Sequence, residues 1–163
     1  MSRPTDLAEQ ARAVIDAIWY LTLGTTEPDG RPRLSPVYFT HVGYRDFYWV
    51  SSPDAHHSRN LAERPDIAIV VYDSTAPVGQ GRAVYLSGSA AQVGDDELAQ
   101  RCAEAFTDLR GGARPFAPEE LSGDADLRLY RARVTSCEVH IRGGDPEYGT
   151  GVDTRRAVRI DPA

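Results

Sequence analysis

The sequence predicts a mainly β fold, an antiparallel sheet closed into a barrel with helices on its flanks. Six segments have the alternation, or the β-branched and aromatic composition, that is typical of strands. Tight turns join several neighbouring segments, and strands and helices do not alternate regularly, which argues against a doubly wound parallel sheet. The predicted strands are residues 19–25, 33–41, 47–51, 67–72, 82–93 and 127–142.

The first part of the chain predicts a helix followed by hairpins. Apolar residues recur at helical spacing over residues 7–18. The turn at 27–30 contains proline, which presets φ, followed by Asp-Gly, a strong hairpin signal. A second turn at 42–46 leads into the third strand. These turns predict antiparallel pairing between strands that are neighbours in the sequence.

The second part of the chain predicts one unusually apolar strand and one helix. Residues 67–72 form a continuous apolar run, the pattern of a strand buried on both faces. Acidic residues then begin a helix that runs from Gly94 to about Phe106. Helical spacing turns three of its residues inward, and these are Leu98, Cys102 and Ala105.

The segments around the last strand are irregular. Residues 107–126 are rich in Gly, Pro and acidic residues, and they predict a loop with one helical turn at 118–121. The strand at 127–142 is long enough that we expect a bulge in it. After a loop, residues 152–160 are expected to be extended.

Composition predicts a soluble protein with one domain over residues 1–163. Hydrophobic content of 41% and charged content of 26% are ordinary for a globular protein. The net charge of −6 argues against nucleic acid as a partner. No apolar run approaches the roughly 20 residues of a membrane span, and the first residues lack a signal-peptide core. We therefore expect a cytoplasmic protein without a membrane partner.

The use of cysteine and of basic residues narrows the chemistry. Cys102 and Cys137 stand in no metal-binding spacing and are interpreted as reduced core thiols. All 18 basic residues are arginine. Any bound anion must therefore be held by arginine, histidine, hydroxyl groups or backbone N–H groups.

The passage from the third strand into the next helix is the most informative segment. Ser52 suits the N-cap position, Pro53 the first helical position and Asp54 the positive end of the helix dipole, so a helix is predicted over 53–64. A helix start that follows a strand exposes free N–H groups and can bind an anion. Two interpretations remain open, a phosphate site and a simple helix cap with a solvated arginine. The polar side chains at this junction are Ser51, Ser52, His56, His57, Ser58 and Arg59.

Other kinds of site have less support. Adjacent histidines on a helix point about 100° apart, so His56 and His57 are not expected to share a metal with His41 or His140. No Ser/His/Asp or Cys/His arrangement and no nucleotide-binding motif is visible. The sequence therefore predicts no metal site and identifies no catalytic side chain.

Several motifs, taken in order, resemble one known family. They are a Pro-Asp-Gly turn, Ser-Pro-Val-Tyr-Phe, Tyr-Trp-Val-Ser-Ser, His-Ser-Arg-Asn-Leu, Leu-Ser-Gly-Ser-Ala and Tyr-Arg-Ala-Arg-Val-Thr. Over about residues 14–142 the chain resembles the pyridoxamine 5′-phosphate oxidase-like flavin proteins, the FMN-binding split barrels. The resemblance implies a six-stranded antiparallel split barrel and a homodimer with FMN in a groove between its subunits. It also implies two-electron redox of a small molecule through the flavin N5.

The resemblance also implies which residues would contact FMN. The end of the third strand and the first turn of the following helix would face the phosphate, through Ser51, Ser52, His57, Ser58 and Arg59. The second strand would run along the isoalloxazine, mainly through its backbone, at Ser35, Val37, Tyr38 and Phe39. The ring or the ribityl chain would be approached, from the same or the other subunit, by Gln80 and Arg82.

The chain departs from the family pattern at three positions. Members often carry lysine at the position of His57, and imidazole gains a charge only as the pH falls toward about 6.5. True pyridoxamine phosphate oxidases carry arginine and lysine at the positions of Ser35 and Thr40, so pyridoxamine phosphate is not expected as the substrate. A reductase that uses a deazaflavin cofactor and a non-catalytic module that binds flavin or heme remain alternatives.

Overall fold

The computed structural model describes residues 6–160, which form one curled antiparallel sheet with three flanking α-helices. The sheet order is β2-β1-β5-β6-β7-β4-β3, with β8 added on β7. This arrangement confirms the predicted mainly β, antiparallel split-barrel class. The elements are α1 (Leu7–Ala17), β1 (Tyr20–Thr26), β2 (Pro32–Tyr38), β3 (Thr40–Val42), β4 (Asp46–Ser51), α2 (His56–Glu63), β5 (Asp66–Tyr72), β6 (Ala83–Gln92), α3 (Asp95–Ala105), a 3₁₀ turn (Pro118–Leu121), β7 (Arg128–Ile141) and β8 (Thr154–Ala157).

The strand predicted at 33–41 is two strands, β2 and β3, that belong to opposite ends of the sheet. β2 pairs with β1, whereas β3 pairs with β4. Between them the Phe39 N–H donates to the carbonyl oxygen of Trp19 at 3.1 Å. The prediction of one continuous strand was wrong, because the β1–β2 ladder ends at Tyr38 and a new ladder with β4 begins at Thr40. The short connection at Phe39 draws the two ends of the sheet together and curls it.

Strand β5 is buried on one face of the sheet. Ile67, Ile69 and Val71 lie in the interior, whereas Ala68 and Tyr72 between and after them are exposed. The expectation of burial on both faces was therefore wrong for the single described chain. The outer face of this part of the sheet consequently carries apolar residues.

The core has two parts, one inside the curled sheet and one between α3 and the outer face of β4. Trp49 belongs to the interior, where it packs with α1 and the inward residues of most strands. Tyr48 points the other way and packs in the second cluster. That cluster contains the three helical residues predicted to face inward. Cys102 and Cys137 are buried and free, as predicted.

The predicted bulge in the last long strand is present in β7. Ser87 pairs with Ser136, but Gly88 pairs with Val134, so Thr135 is the extra residue. A Cβ atom on Gly88 would lie 2.0 Å from the carbonyl oxygen of Arg133. Glycine is therefore required where the two backbones cross closely at the bulge.

The remaining predicted elements also appear. The helices predicted at 7–18 and 94–106, the helical turn at 118–121 and the extended tail all match observed elements to within a few residues. Within residues 6–160, no helix combines the length and the hydrophobicity that a membrane span requires.

Candidate functional site

Helix α2 begins at His56, with Ala55 as its N-cap, and not at the predicted Pro53. Ser52 was predicted to cap the helix, but its hydroxyl accepts the N–H of Asp54 at 3.2 Å. Its carbonyl oxygen accepts the N–H of Ala55, also at 3.2 Å. Ser52 therefore closes a separate turn between β4 and α2, and the helix starts only after that turn.

The first turn of α2 keeps its backbone donors free of side-chain caps. No side chain accepts a hydrogen bond at the N-cap. The N–H of Arg59 donates within the helix, to Ala55 at 3.0 Å. The N–H groups of His56, His57 and Ser58 precede it in the first turn, where helical geometry provides no acceptor. Together with the helix dipole they make this end of α2 attractive to an anion.

His57 connects the helix to the end of β4. Its Nε2 lies 2.9 Å from the hydroxyl oxygen of Ser51. Burial, together with the nearby charge of Arg33, lowers the pKa of His57 below its ordinary value of 6.5. The imidazole is therefore mostly neutral near pH 7 in the ligand-free chain.

Arg59 is the exposed cation of this junction. Within residues 6–160 its guanidinium has neither an ion-pair nor a hydrogen-bond partner. Arg33, on β2, is by contrast bonded to Glu27, and this bond lowers the pKa of the Glu27 carboxyl. The exposed His56 also lies near Glu27, with its Nδ1 at 3.7 Å from a carboxylate oxygen. Arg59 is thus available to a ligand, whereas Arg33 is already neutralised.

The inward face of α2 anchors the helix. The amide nitrogen of Asn60 donates to the hydroxyl oxygen of Thr25 on β1 at 3.1 Å, and both side chains are buried. Ser58 is 4% exposed. Its hydroxyl lies beside Tyr130, whose pKa burial raises and this hydroxyl partly lowers. Ser58 can therefore serve an anion through its backbone N–H, while its side chain belongs to the interior.

The predicted residues of β2 divide between the two faces of the sheet. Val37 is buried in the core, and the adjoining Phe39 is fully enclosed, with its N–H bonded to Trp19. Ser35 is half-buried. Tyr38 faces outward, where its hydroxyl donates to the Arg110 carbonyl oxygen at 3.0 Å and accepts the Arg110 N–H at 2.8 Å. The loop after α3 thereby holds the Tyr38 ring in place.

A cavity of about 370 Å³ lies on the outer side of β4, next to this strand. It is lined by Tyr38, by residues of β3 and β4, and by the loop between α3 and β7. One lining residue, Val50, directly precedes Ser51. The cavity therefore adjoins the strand end that leads into the α2 junction.

Gln80 and Arg82 lie elsewhere on the surface of the single chain. Both are exposed in the loop that leads into β6. Within residues 6–160 no hydrogen bond or ion pair joins either residue to the α2 junction. The single described chain does not bring these two residues together with the other predicted site residues.

Arg33 and the Asn60–Thr25 pair were missed at the sequence level. Arg33 stands two residues before Ser35 and four before the buried Val37, so strand alternation puts it on their side of the sheet. That alternation was a usable signal, although the proximity of Arg33 to His57 depends on the pairing of Arg33 with Thr25 on β1, the residue to which α2 is bonded. Residues 6–160 contain no cluster of three or more His, Cys, Asp or Glu side chains suited to a metal ion.

Known structures with this fold belong to proteins of different functions. A heme-binding protein from Mycobacterium smegmatis shares 24% identity with a TM-score of 0.68, over 96% of this chain and 60% of that one. The heme storage protein HutZ from Vibrio cholerae shares 20% identity with a TM-score of 0.59, over 80% and 92% of the two chains. An F420 reductase shares 19% identity with a TM-score of 0.54, over 77% and 94%.

These identities establish similarity of fold alone, and this chain spans only about 60% of the length of the Mycobacterium smegmatis protein. No curated protein sequence matches the chain. The sequence profile of the pyridoxamine 5′-phosphate oxidase family matches residues 7–141, from the first turn of α1 to the end of β7. With this match and the split-barrel fold, the chain belongs to the pyridoxamine 5′-phosphate oxidase-like family.

Proposed function

We propose that this protein binds FMN and acts as a flavin-dependent oxidoreductase on a small molecule. The observation that carries the proposal is the α2 junction, with three uncapped N–H groups and the unpaired Arg59 guanidinium. These are the donors that a phosphate monoester requires. The flavin would supply two-electron chemistry through N5, and the protein would supply binding, orientation and electrostatics.

The phosphate and the ring would occupy adjoining parts of the chain. Arg59 and the first-turn N–H groups of α2 would hold the phosphate, with Ser51, Ser52 and His57 at its edge. The β2 backbone at residues 35–39 would run beside the isoalloxazine. The inward burial of Val37 and Phe39 leaves the half-buried Ser35 and Tyr38 as the residues of this segment that a ring could meet.

We propose in addition that the protein is a homodimer that uses the outer face of β1, β2 and β5 as its interface. Register places Tyr20 opposite Tyr38 and Leu34 opposite Gly24, so these residues share one face. Leu34 is 71% exposed and Tyr20 60% exposed. A contiguous patch of exposed apolar side chains on a soluble chain marks an interaction surface. A second copy would cover them, and its Gln80 and Arg82 could then reach the flavin of the first.

The nature of the cofactor is tested most directly by the absorption spectrum of the purified protein. Flavin bands, or quenching of FMN fluorescence on titration into colourless protein, would support the proposal. A Soret band after addition of heme, without FMN binding, would favour a heme-binding module. Preferential binding of the deazaflavin cofactor would favour the kind of chemistry named for the F420 reductase neighbour.

Arg59→Ala tests the phosphate site itself. Because charged hydrogen bonds to phosphate are the strong ones, the substitution should weaken FMN about tenfold, or about 1.4 kcal/mol, and leave riboflavin nearly unchanged. Isothermal titration with both ligands measures the difference. Arg133→Ala, which removes another exposed arginine outside the junction, is the matched control and should affect neither. Equal losses for FMN and riboflavin in Arg59→Ala would exclude a phosphate contact.

A further inference from the structure

The cavity beside β4 has the size and position of a second ligand site. Its volume of about 370 Å³ lies within the range of about 300–1,000 Å³ that small-molecule pockets occupy. Tyr38 lines it from β2, between the two residues whose backbone would run along the flavin ring. A molecule in this cavity would therefore lie next to the proposed position of the ring.

The walls of the cavity are aromatic. They include Tyr38 and Tyr48 from the sheet, and Phe106 and Phe116 from the segment after α3. The centroids of the Phe106 and Phe116 rings are 5.8 Å apart, and their planes are tilted by 43°. Aromatic rings bind other aromatic rings by stacked and edge-on contacts, so the walls favour a planar ligand.

The hydroxyl groups in the walls are already bonded to the protein. The Thr40 hydroxyl donates to the Ala105 carbonyl oxygen at 2.6 Å. The Tyr48 hydroxyl donates to a Glu104 carboxylate oxygen at 2.8 Å, and the Tyr38 hydroxyl bonds Arg110 as described above. These groups would have to break existing bonds before they could bind a polar ligand.

The charge in the walls is likewise cancelled. Among the described lining residues Arg114 is the charged one, and its guanidinium donates to both oxygens of Glu120 at 3.0 and 2.7 Å. This pairing lowers the pKa of Glu120 to about 2, so the pair stays intact over the physiological range. The cavity consequently offers no free cation to a phosphate or carboxylate group.

We infer that this cavity binds the substrate, and that the substrate is an uncharged, planar aromatic molecule. That the bound molecule is a substrate rests on the proposed flavin function, whereas the class of ligand follows from the cavity alone. It also accounts for Thr40, which stands where a pyridoxamine phosphate oxidase would carry a basic residue and is here turned to the Ala105 carbonyl.

Two matched probes test the ligand class, coumarin and coumarin-3-carboxylate, which share a planar ring and a carbonyl and differ in charge. Equilibrium dialysis with the full chain should give at least tenfold tighter binding of coumarin. Leu109→Arg, which places a charge in the cavity wall, should weaken coumarin at least tenfold and reverse the preference. Val152→Arg, a surface position outside the cavity, is the control and should change neither. Equal or tighter binding of the carboxylate by the unmodified chain would overturn the inference.

If Leu109→Arg does not fold, the two probes on the unmodified chain still decide the ligand class.

Repeating the dialysis with saturating FMN separates the two proposals. Coumarin that still binds supports a substrate site beside the flavin. Coumarin that FMN displaces overturns the inference, because the cavity is then the flavin site itself. A chain that binds coumarin selectively but never FMN supports the ligand class and overturns the flavin function.

Discussion

His57 serves both the fold and the proposed phosphate site. Its Nε2 lies 2.9 Å from Ser51, and burial with the Arg33 charge lowers its pKa. A bound phosphate would favour the charged imidazole and raise this pKa again. The resulting gain in FMN affinity is absent at pH values above the pKa of His57 in the complex. The gain is complete only at pH values below the pKa of His57 in the free chain, which lies under 6.5.

We therefore expect the affinity for FMN, relative to that of His57→Gln, to rise as the pH falls from about 8.5 to about 5.5. The rise should be roughly threefold to tenfold, the size of one added charged hydrogen bond near solvent. Fluorescence titrations of both proteins at each pH measure the ratio, which cancels the titration of the FMN phosphate itself. A constant ratio would exclude a charged contact from His57.

At the residue scale, the sequence predicted the contacts between residues that lie near one another along the chain. Ser51, His57 and Arg59 follow one another across a strand end and a helix start, so their proximity was predictable from local order alone. Arg33 comes close to His57 because β2 pairs with β1, the strand against which α2 packs. The interior position of the Ser58 side chain likewise depends on Tyr130, far along the chain. Such contacts between distant segments carry no local signal.

At the scale of elements, the bulge in β7 gives a sharp stability test. Gly88→Ala would place a Cβ 2.0 Å from the Arg133 carbonyl oxygen, a backbone atom that can move only with its strand. We expect the free energy of unfolding to fall by about 3 kcal/mol, at the upper end of overpacking costs. Urea denaturation measures it. Gly144→Ala is the matched control, since a Cβ there has no neighbour within 4 Å, and it should be nearly neutral.

The elements themselves were predictable from periodicity and turn residues, but two boundaries were not. Ser52, Pro53 and Asp54 form a good local helix start, yet the Ser52 hydroxyl and carbonyl oxygens close a turn instead. Residues 33–41 have continuous strand character, yet they are divided at Phe39 by a bond to Trp19. Each boundary depends on which of two acceptable hydrogen-bond patterns forms, and propensity does not distinguish them.

At the scale of the whole molecule, the half-barrel has an outer face whose composition does not suit water. Residues 67–72 are apolar throughout, and the sequence accordingly predicted burial on both sides. In the single chain, Ala68 and Tyr72 are exposed, as are Tyr20 and Leu34 on the neighbouring strands. A partner on this face would restore the predicted burial, and it would convert a mismatch between sequence and structure into a feature of the assembly.

Leu34→Arg tests this interpretation, because it places a charge at the middle of the proposed interface. Burial of an unpaired charge is costly, so we expect the dimer to dissociate at least a hundredfold more readily, or about 2.7 kcal/mol. Light scattering coupled to size exclusion should then show a dimer for the unmodified chain and a monomer for the variant. Circular dichroism should be unchanged, since Leu34 is 71% exposed in the single chain.

The affinity of this variant for FMN should fall as well, because the groove would lose the Gln80 and Arg82 of the second copy. Val152→Arg adds the same charge at another exposed position and should remain dimeric with full affinity. An unmodified chain that is monomeric at the highest concentration measured would contradict the interface. The flavin site would then have to be complete within one subunit.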